Sequence, residues 1–236
     1  MKHLVFLSFG LVLCGAFAKE PVRFGPRQLA VYRAHTILPE SLRHLVRKNG
    51  KHLMEGLARG LAVDGARINA RLIVFETDRI TQMVNGQRPF REVVDQMGYV
   101  SGLFAVYSDP SAEAKSLTKK GFNFFLDKKM KQFHFVFDGY QNDPIGLGVF
   151  LKELAKVPAV VGSHRALLDD RYARVEGNYR YNFSERSAVF GICSIYFSNL
   201  ARFSARLWYY AWSNAHGDLT RTPFVGQGQR TKRSGP

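Results

Sequence analysis

Apolar residues recur every three or four positions along most of this chain, which is the spacing of one face of an α-helix. Residues 40–57 show this pattern with basic residues between the apolar ones, and predict an amphipathic helix with a basic outer face. The same period predicts a second helix over residues 66–84, which ends at the stop signal Asn85-Gly86. A third helix is predicted to open at Pro89 and to run to Tyr107.

Two stretches in the middle of the chain are less regular. Asp109-Pro110 indicates the cap and first turn of the next helix, because aspartate accepts bonds from the unpaired amides there and proline has no amide to leave unpaired. Residues 121–140 are rich in Phe and Lys. Their second half alternates over residues 133–137, which fits either a short strand or a helix end.

The C-terminal half is also predicted to be mainly helical. Residues 145–156 and 159–175 fit two helices separated at Val157-Pro158. The last and longest helix is predicted over residues 187–215. Its apolar content suggests a membrane span, but two arginines lie within it, so a central helix buried on most sides is expected instead. Together these patterns predict an all-α fold, a single domain of about seven helices over residues 19–220.

The N-terminus differs from this domain. A basic start precedes a short apolar run, and the small-x-small pattern ending at Ala18 is typical of a cleavage site, so residues 1–18 are predicted to be a secretory signal peptide. A membrane anchor is one alternative, but the run has about half of the ~20 residues that a spanning helix needs. Lipid modification at Cys14 is another alternative, although Leu13 stands where a small residue is wanted.

We therefore expect an exported protein, periplasmic or extracellular, with no transmembrane helix after cleavage. Cleavage would leave 218 residues with a net charge of +14, because a single lysine is removed. Residues 221–236 are rich in Gly, Gln and basic side chains and are predicted to form a basic flexible tail. Cys193 would be the only cysteine left, and the apolar residues beside it predict a buried thiol in preference to a reactive one.

The composition limits the function classes. With 46% hydrophobic and 22% charged residues and only two cysteines in 236 residues, the chain is not a disordered protein, a collagen or a disulfide scaffold. The excess of 34 Lys and Arg over 19 Asp and Glu favours anionic partners, such as a phospholipid or lipopolysaccharide surface or extracellular nucleic acid. The alternative is a basic surface that only keeps the protein soluble. Nucleic acid is the least supported partner, because no clear nucleic-acid motif occurs.

Motifs for the common enzyme chemistries are absent from the sequence. There is no glycine-rich nucleotide loop, no Gly-x-Ser-x-Gly elbow, no His-Glu-x-x-His and no Cys-x-x-Cys pair. None of the six histidines after residue 18 has a second His or a carboxylate at helical ligand spacing in an apolar setting. The chain therefore offers no catalytic residues that can be named from motifs.

Arg202 and Arg206 are unusual because they lie one turn apart in the most apolar predicted helix. If they are buried, each needs an anionic partner. That partner would be a carboxylate such as Asp169, Asp170 or Glu185, or else a bound anion.

Four segments of the chain carry a resemblance to a known family. Residues 27–43 contain a Leu-Pro step, and residues 60–64 run from Gly to Asp. Residues 98–110 contain Gly and end in Asp-Pro, and residues 197–218 contain two Trp. They resemble the opening helix, the Gly-to-Asp segment, the central helix and the closing helix of the zinc-dependent phospholipase C family. That family is similar in fold to the single-strand-specific zinc nucleases. The resemblance covers about half of the predicted mature chain and implies a phospholipase C-like helical bundle.

The zinc ligands of that family fall on unsuitable residues of this chain. The resemblance places them on or near Arg27, Asp64, Gly102, Val106, Ala112, Asn199 and Phe203. Only Asp64 keeps a ligand type. The family's chemistry uses three zinc ions to polarise a phosphate ester, so no zinc cofactor is expected here, and Arg27 would replace part of the metal charge. If there is no relationship, the glycines of residues 98–110 are simply small packing positions in a helix.

Two functional classes remain open, and the sequence favours the first without deciding whether the protein is an enzyme. The first is a non-catalytic envelope protein that binds an anionic lipid or another anionic envelope component, with Arg27, Arg202 and Arg206 as candidate anion-binding residues. The second is a metal-dependent phosphoesterase, either a phospholipase or a nuclease. Its zinc site would be relocated and built from Asp64 with His134, His216, Asp138 or Asp143.

Overall fold

The computed structural model describes residues 24–137, 139–140, 147–170, 173–175 and 182–223. Within these ranges the chain forms eight α-helices and three short 3-10 turns, and no β-strand. The all-α prediction is therefore confirmed, with eight helices where about seven were expected. The helices are α1 (Pro26–Ala34), α2 (Glu40–Lys48), α3 (Gly50–Leu61), α4 (Ala70–Asn85), α5 (Phe90–Tyr107), α6 (Ser116–Lys129), α7 (Leu147–Leu168) and α8 (Ala188–Asn214).

Helices α3 and α5 cross with their backbones in direct contact. Two glycines four residues apart on each helix form the crossing, Gly56 and Gly60 on α3 and Gly98 and Gly102 on α5. A Cβ atom at any of the four would collide with backbone atoms of the other helix. Because a larger side chain would force the two helices apart, these glycines hold the centre of the bundle together.

Helix α8 is the long central helix that the sequence predicted. It contacts α1, α4, α5 and α7, and most of its residues are buried. Trp208 is fully buried, and its indole Nε1 donates to the carbonyl of Met97 on α5 at 3.0 Å. Ser187 begins the helix by accepting a hydrogen bond from the amide of Val189. Neither α8 nor any other described helix combines the length and the apolar character that crossing a membrane requires.

Two helices have limits that the sequence did not predict. Residues 40–57 do not form one helix, because the chain leaves the helical conformation at Asn49, between α2 and α3. The Asn49 side chain donates to the carbonyl of Leu45, at the end of α2. The second predicted helix begins at Ala70 instead of residue 66. Asn69 sets this start, because its side chain accepts a hydrogen bond from the amide of Leu72.

The prediction that a helix starts at Asp109-Pro110 is wrong. Helix α6 begins only at Ser116, and the preceding residues form turns. Asp109 accepts hydrogen bonds from the amide and hydroxyl of Ser111 within one of these turns. The ambiguous stretch 133–137 follows a 3-10 turn and forms no strand, and the amide of Val136 donates to the hydroxyl of Ser198 on α8.

The prediction of two helices on either side of Val157-Pro158 is also wrong, because α7 is one helix with Pro158 inside it. Proline has no N–H, so the carbonyl of Leu154, four residues earlier, loses its partner within the helix. The hydroxyl of Tyr107, the last residue of α5, donates to that carbonyl at 3.1 Å. A side chain from another helix thus replaces the missing bond and allows α7 to continue.

Several predictions fall on residues outside the described ranges. The signal peptide of residues 1–18 lies outside them, with Cys14, and so do Asp138 and Asp143. Of the tail predicted over residues 221–236, the structure describes residues 221–223. Arg221 in this part pairs with Glu40 at the start of α2, at 2.7 Å.

Candidate functional site

Arg27 of α1 lies at the centre of a largely buried polar network. Its Nη2 is 2.7 Å from Asp109 Oδ2 and 3.0 Å from Asn123 Oδ1, and it donates to both. Its Nε donates to the hydroxyl oxygen of Tyr196 at 2.9 Å. The side chains of Arg27 and Asp109 are 22% and 10% exposed, so water screens the pair only weakly. One guanidinium thus joins α1 to α6, α8 and the turn after α5.

Further hydrogen bonds complete both ends of this network. Asp109 Oδ1 accepts from the amide and hydroxyl of Ser111 at 2.8 and 2.7 Å. The hydroxyl of Tyr196 donates to the carbonyl of Ala105 at 2.9 Å. Burial raises the pKa of Tyr196, so this hydroxyl keeps its proton. Tyr196 and Asp109 also raise the pKa of Arg27 against the opposing effect of burial, so the guanidinium stays charged.

This network faces a cavity of about 750 Å³, which we call the large cavity. Its lining contains three cationic and three acidic side chains, which are Arg27, Lys119, Arg165, Asp64, Asp109 and Glu113. Arg27 pairs with Asp109, and Arg165 pairs with Glu113. Lys119 is exposed and pairs with no carboxylate in the described part of the chain. The Nε of Arg165 is buried and has no hydrogen-bond partner in the part of the chain that the structure describes.

Four positions that the resemblance assigns to metal ligands line the large cavity together, namely Arg27, Asp64, Val106 and Ala112. Gly102 does not line it, because that residue lies in the α3–α5 crossing against Gly60. Any larger residue at position 102 would collide with α3. The structure therefore brings part of the proposed ligand set together and places the remainder elsewhere.

The lining of the large cavity does not fit a zinc cluster. Zinc in proteins is bound by His, Cys and carboxylate side chains, and a cluster needs several of them on facing helices. The described lining contains no His or Cys, and two of its three carboxylates are paired with arginines. The third, Asp64, is exposed and accepts the amide of Ala66 at 3.1 Å.

A second cavity of about 180 Å³, which we call the small cavity, lies along another face of α7. Pro158 and Arg165 of α7 line the large cavity, Val157 and His164 line the small one, and Val161 lines both. The other walls of the small cavity come from α5, α8 and the turn after α5. They include Asn199 and Phe203, the two late positions that the resemblance assigns to metal ligands.

The two arginines of α8 have different partners in the structure. Arg206 is buried and pairs with Glu153 of α7, with 2.8 Å between Nη1 and Oε2. Its guanidinium also lies over the rings of Phe150 and Phe203, 5.2 and 5.5 Å from their centroids. The acidic partner of Arg206 is thus Glu153, and the expectation of Asp169, Asp170 or Glu185 is wrong for this residue.

Arg202 has no carboxylate partner in the described residues. Its Nη2 donates to Asn199 Oδ1 at 3.3 Å, and its guanidinium lies 5.3 Å from the centroid of the Phe203 ring. Its Nε is buried and has no hydrogen-bond partner. Arg206 is already neutralised by Glu153, so among the described residues Arg202 is the arginine of α8 whose charge is left for an anion.

The histidines proposed for a relocated metal site do not lie in either cavity. His134 and His216 are both exposed and line neither one. His216 follows the end of α8 with a positive φ of 56°, and its amide donates to the carbonyl of Ser213, so it belongs to a helix stop. Over the described ranges, no three His, Cys, Asp or Glu side chains form a group that could hold a metal ion.

Cys193 is buried in the core, as the sequence predicted. Burial raises the pKa of its thiol, with a smaller contribution from Asp109. Because the thiolate is the reactive form, a protonated buried thiol is a poor nucleophile. The residue therefore acts as a small apolar side chain beneath the polar network.

Sequence reasoning missed the partners of the candidate arginines. The sequence indicates Asp109 only as a helix cap and contains no motif that singles out Tyr196, Glu153 or Lys156. Glu153 and Lys156 lie three residues apart on α7, and with His164 they share a face that local periodicity could have grouped. Their proximity to Arg202 depends on the packing of α7 against α8.

Comparison of this chain with models of known protein families, with curated proteins and with solved structures finds no match.

Proposed function

We propose that this chain is an exported, non-catalytic protein of the cell envelope that binds anionic lipids, on a helical fold similar to that of zinc-dependent phospholipase C. Export rests on the N-terminal signal pattern of residues 1–18. The similarity of fold rests on the four segments of the sequence and on the cavity that four of the seven ligand positions share.

One observation carries the non-catalytic part of this proposal. Arg27, at the position of a zinc ligand in the resemblance, forms an ion pair of 2.7 Å with Asp109 at the wall of the large cavity. A guanidinium supplies fixed positive charge, but it cannot lower the pKa of a bound water as a metal ion does. It also repels a metal cation from the same space. The pair therefore stabilises the helices and provides no hydrolytic water.

Charge supports the choice of an anionic partner. The predicted mature chain carries a net charge of +14, which attracts a negatively charged membrane surface over a distance of about a Debye length. Two arginine side chains that line the cavities, Arg165 and Arg202, each have a buried Nε that bonds to no atom of the described residues. Such donors favour ligands that carry carboxylate or phosphate oxygens.

Metal content and hydrolysis test the non-catalytic part. The exported protein is purified without chelators, its zinc is measured by inductively coupled plasma mass spectrometry, and hydrolysis of bis(p-nitrophenyl) phosphate and phosphatidylcholine is followed with and without added zinc chloride. We expect neither stoichiometric zinc nor hydrolysis under either condition. Stoichiometric zinc with hydrolysis that a chelator abolishes would instead establish the phosphoesterase alternative.

Vesicle binding tests the lipid partner separately. The protein is sedimented with vesicles of phosphatidylglycerol and phosphatidylcholine, and with vesicles of phosphatidylcholine alone. We expect binding only to the anionic vesicles, and weaker binding as the salt concentration rises, because salt screens the attraction. Equal binding to both compositions, or binding to neither, would contradict the proposal.

A further inference from the structure

The small cavity combines unpaired positive charge with apolar walls. Arg202 at the cavity has no acidic partner in the described chain, and Lys156, also at the cavity, is exposed and forms no ion pair there. The carboxylate in the lining, Glu153, is already paired with Arg206. The lining thus has two cations whose charge the described part of the chain leaves uncompensated.

Arg202 brings a guanidinium to the lining of this cavity. Within the described ranges the buried Nε of Arg202 has no hydrogen-bond partner, while its Nη2 makes a long bond of 3.3 Å to Asn199. A guanidinium has five N–H donors and binds carboxylate and phosphate oxygens strongly, so these groups suit the charge that Arg202 brings to the lining. The ring of Phe203, stacked on Phe104 with 4.8 Å between centroids, supports the guanidinium from one side.

The cavity also has an exposed apolar edge. Val160 of α7 and Ile195 of α8 line it and are 47% and 45% exposed. Val157 and Val161 continue the apolar surface along α7. Exposed branched aliphatic residues lie beside two cations that pair with no described carboxylate. They form a surface with one apolar and one cationic part, which matches a ligand that has both characters.

We propose that the small cavity binds the head of an anionic amphiphile, a carboxylate or phosphate group on an alkyl chain. The anionic head contacts Arg202 and Lys156, and the alkyl chain of the ligand leaves the cavity over Val160 and Ile195. The volume of about 180 Å³ holds the head and the first carbon atoms and no more, since pockets for drug-sized ligands have about 300 Å³ or more. This inference rests on the proposed function for the class of ligand, and it names the site that function would use.

Isothermal titration calorimetry with soluble amphiphiles below their micelle concentrations tests the site. Decanoate and decyl phosphate are the probes, acetate and inorganic phosphate are the same heads without a chain, and decyl maltoside is a neutral amphiphile. We expect binding of decanoate and decyl phosphate, at least about tenfold weaker binding of the two short anions, and none of the maltoside. Tight binding of inorganic phosphate alone would replace the amphiphile with a free anion and overturn the proposal.

Charge-matched variants locate the binding. Arg202→Gln is expected to weaken decanoate binding about 10- to 100-fold, the effect of losing a charged hydrogen-bonding partner. Arg47→Gln removes the same charge from an exposed position on α2, which lines neither cavity, and is expected to leave the affinity unchanged. Arg202→Lys keeps the charge and is expected to recover part of the affinity, provided that all three variants keep the circular dichroism spectrum of the parent protein.

A variant of the apolar edge distinguishes the binding of the ligand's alkyl chain from the binding of its anionic head. Val160→Ser is expected to weaken decanoate binding and to leave acetate binding unchanged, because the substituted side chain is exposed on the helix surface. Equal affinities of the parent, Arg202→Gln and Val160→Ser proteins for decanoate would overturn the proposed site. If decanoate binding depends on Arg202 but the protein does not bind anionic vesicles, the proposed membrane partner is wrong and the proposed ligand site in the small cavity is supported. If the protein binds anionic vesicles but Arg202→Gln has no effect on decanoate binding, the proposed ligand site is wrong and the proposed membrane partner is supported.

Discussion

The hydroxyl of Tyr107 donates a hydrogen bond of 3.1 Å to the carbonyl of Leu154, the group that Pro158 leaves without a partner in α7. Leu154 is fully buried, so water does not replace the missing bond. The contact thus links the last residue of α5 to the middle of α7. Residues on both sides of Pro158 line the small cavity, so the continuity of α7 through Pro158 shapes that wall of the cavity.

Removal of this hydroxyl should therefore destabilise the protein. Tyr107→Phe is expected to lower the free energy of unfolding by about 1–3 kcal/mol, because a buried carbonyl is left unpaired. Urea denaturation followed by circular dichroism measures it. Tyr99→Phe on the same helix removes a hydroxyl that bonds to no described residue, and is expected to change stability by less than about 0.5 kcal/mol. Pro158→Ala restores the backbone N–H that bonds to the carbonyl of Leu154. In this background Tyr107→Phe should lower the free energy of unfolding by less. Equal costs in both backgrounds would contradict this account.

The pair of Arg27 and Asp109 should contribute strongly to stability. Arg27→Met leaves the Asp109 carboxylate largely buried without its cation, so the free energy of unfolding is expected to fall by about 3–5 kcal/mol. The exposed pair of Arg59 and Asp95 provides the control, because Arg59 is 55% exposed and Arg59→Met should cost about 1 kcal/mol or less. Similar losses in the two variants, measured by urea denaturation, would show that the Arg27 pair behaves as a surface pair.

The contact between α3 and α5 should not tolerate a methyl group. Gly98→Ala places a Cβ against the backbone of Leu53 and Leu57, and we expect a loss of about 3 kcal/mol or more. Gly162→Ala is the control, because Gly162 lies in α7 and no atom of the described residues comes within 4 Å of its Cβ position. There the change should stabilise the protein by about 0.5–1 kcal/mol, since glycine is a poor helix former. Thermal unfolding of both variants tests these opposite signs, and a Gly98→Ala protein as stable as the parent would refute the close crossing.

Stability should fall as the pH is lowered through about 6.5. Burial lowers the pKa of both His35 and His164 below 6.5, their value in the unfolded chain. Between the lowered pKa and 6.5 the unfolded state binds more protons, so the free energy of unfolding decreases with falling pH in that window and levels off below it. Unfolding midpoints between pH 8 and 5 measure this slope. Replacing both histidines with glutamine should flatten it, and an unchanged slope in that double variant would assign the dependence to other groups.

Local signals in the sequence were sufficient for the helical class and for several helix limits. The end of α4 at Asn85, the start of α5 after Pro89 and the extent of α8 all follow from apolar spacing and capping residues. These features depend on residues within one or two turns of each other, which a sequence displays directly. The break at Asn49 escaped prediction because the apolar residues on both sides of it enter the same core.

The sequence also identified arginines in apolar surroundings, but it did not identify what they contact. Asp109 and Arg27 are 82 residues apart in the chain, and Glu153 and Arg206 are 53 apart. Such pairs form only when helices pack, so spacing along the chain does not reveal them. The tertiary structure decided that Glu153 of α7 neutralises Arg206, and that Arg202 lines a cavity with no acidic partner among the described residues.

By itself, then, the sequence determined an all-α protein with a long central helix and a strongly basic surface, because periodicity, caps and charge are properties of short segments. Only the tertiary structure decided that α7 passes through Pro158 and that four of the proposed ligand positions share one cavity around an ion pair. The physical reason is the same in each case. A carbonyl without a helix partner, or a buried charge, is stabilised by whichever side chain the packing of distant helices brings within hydrogen-bond distance.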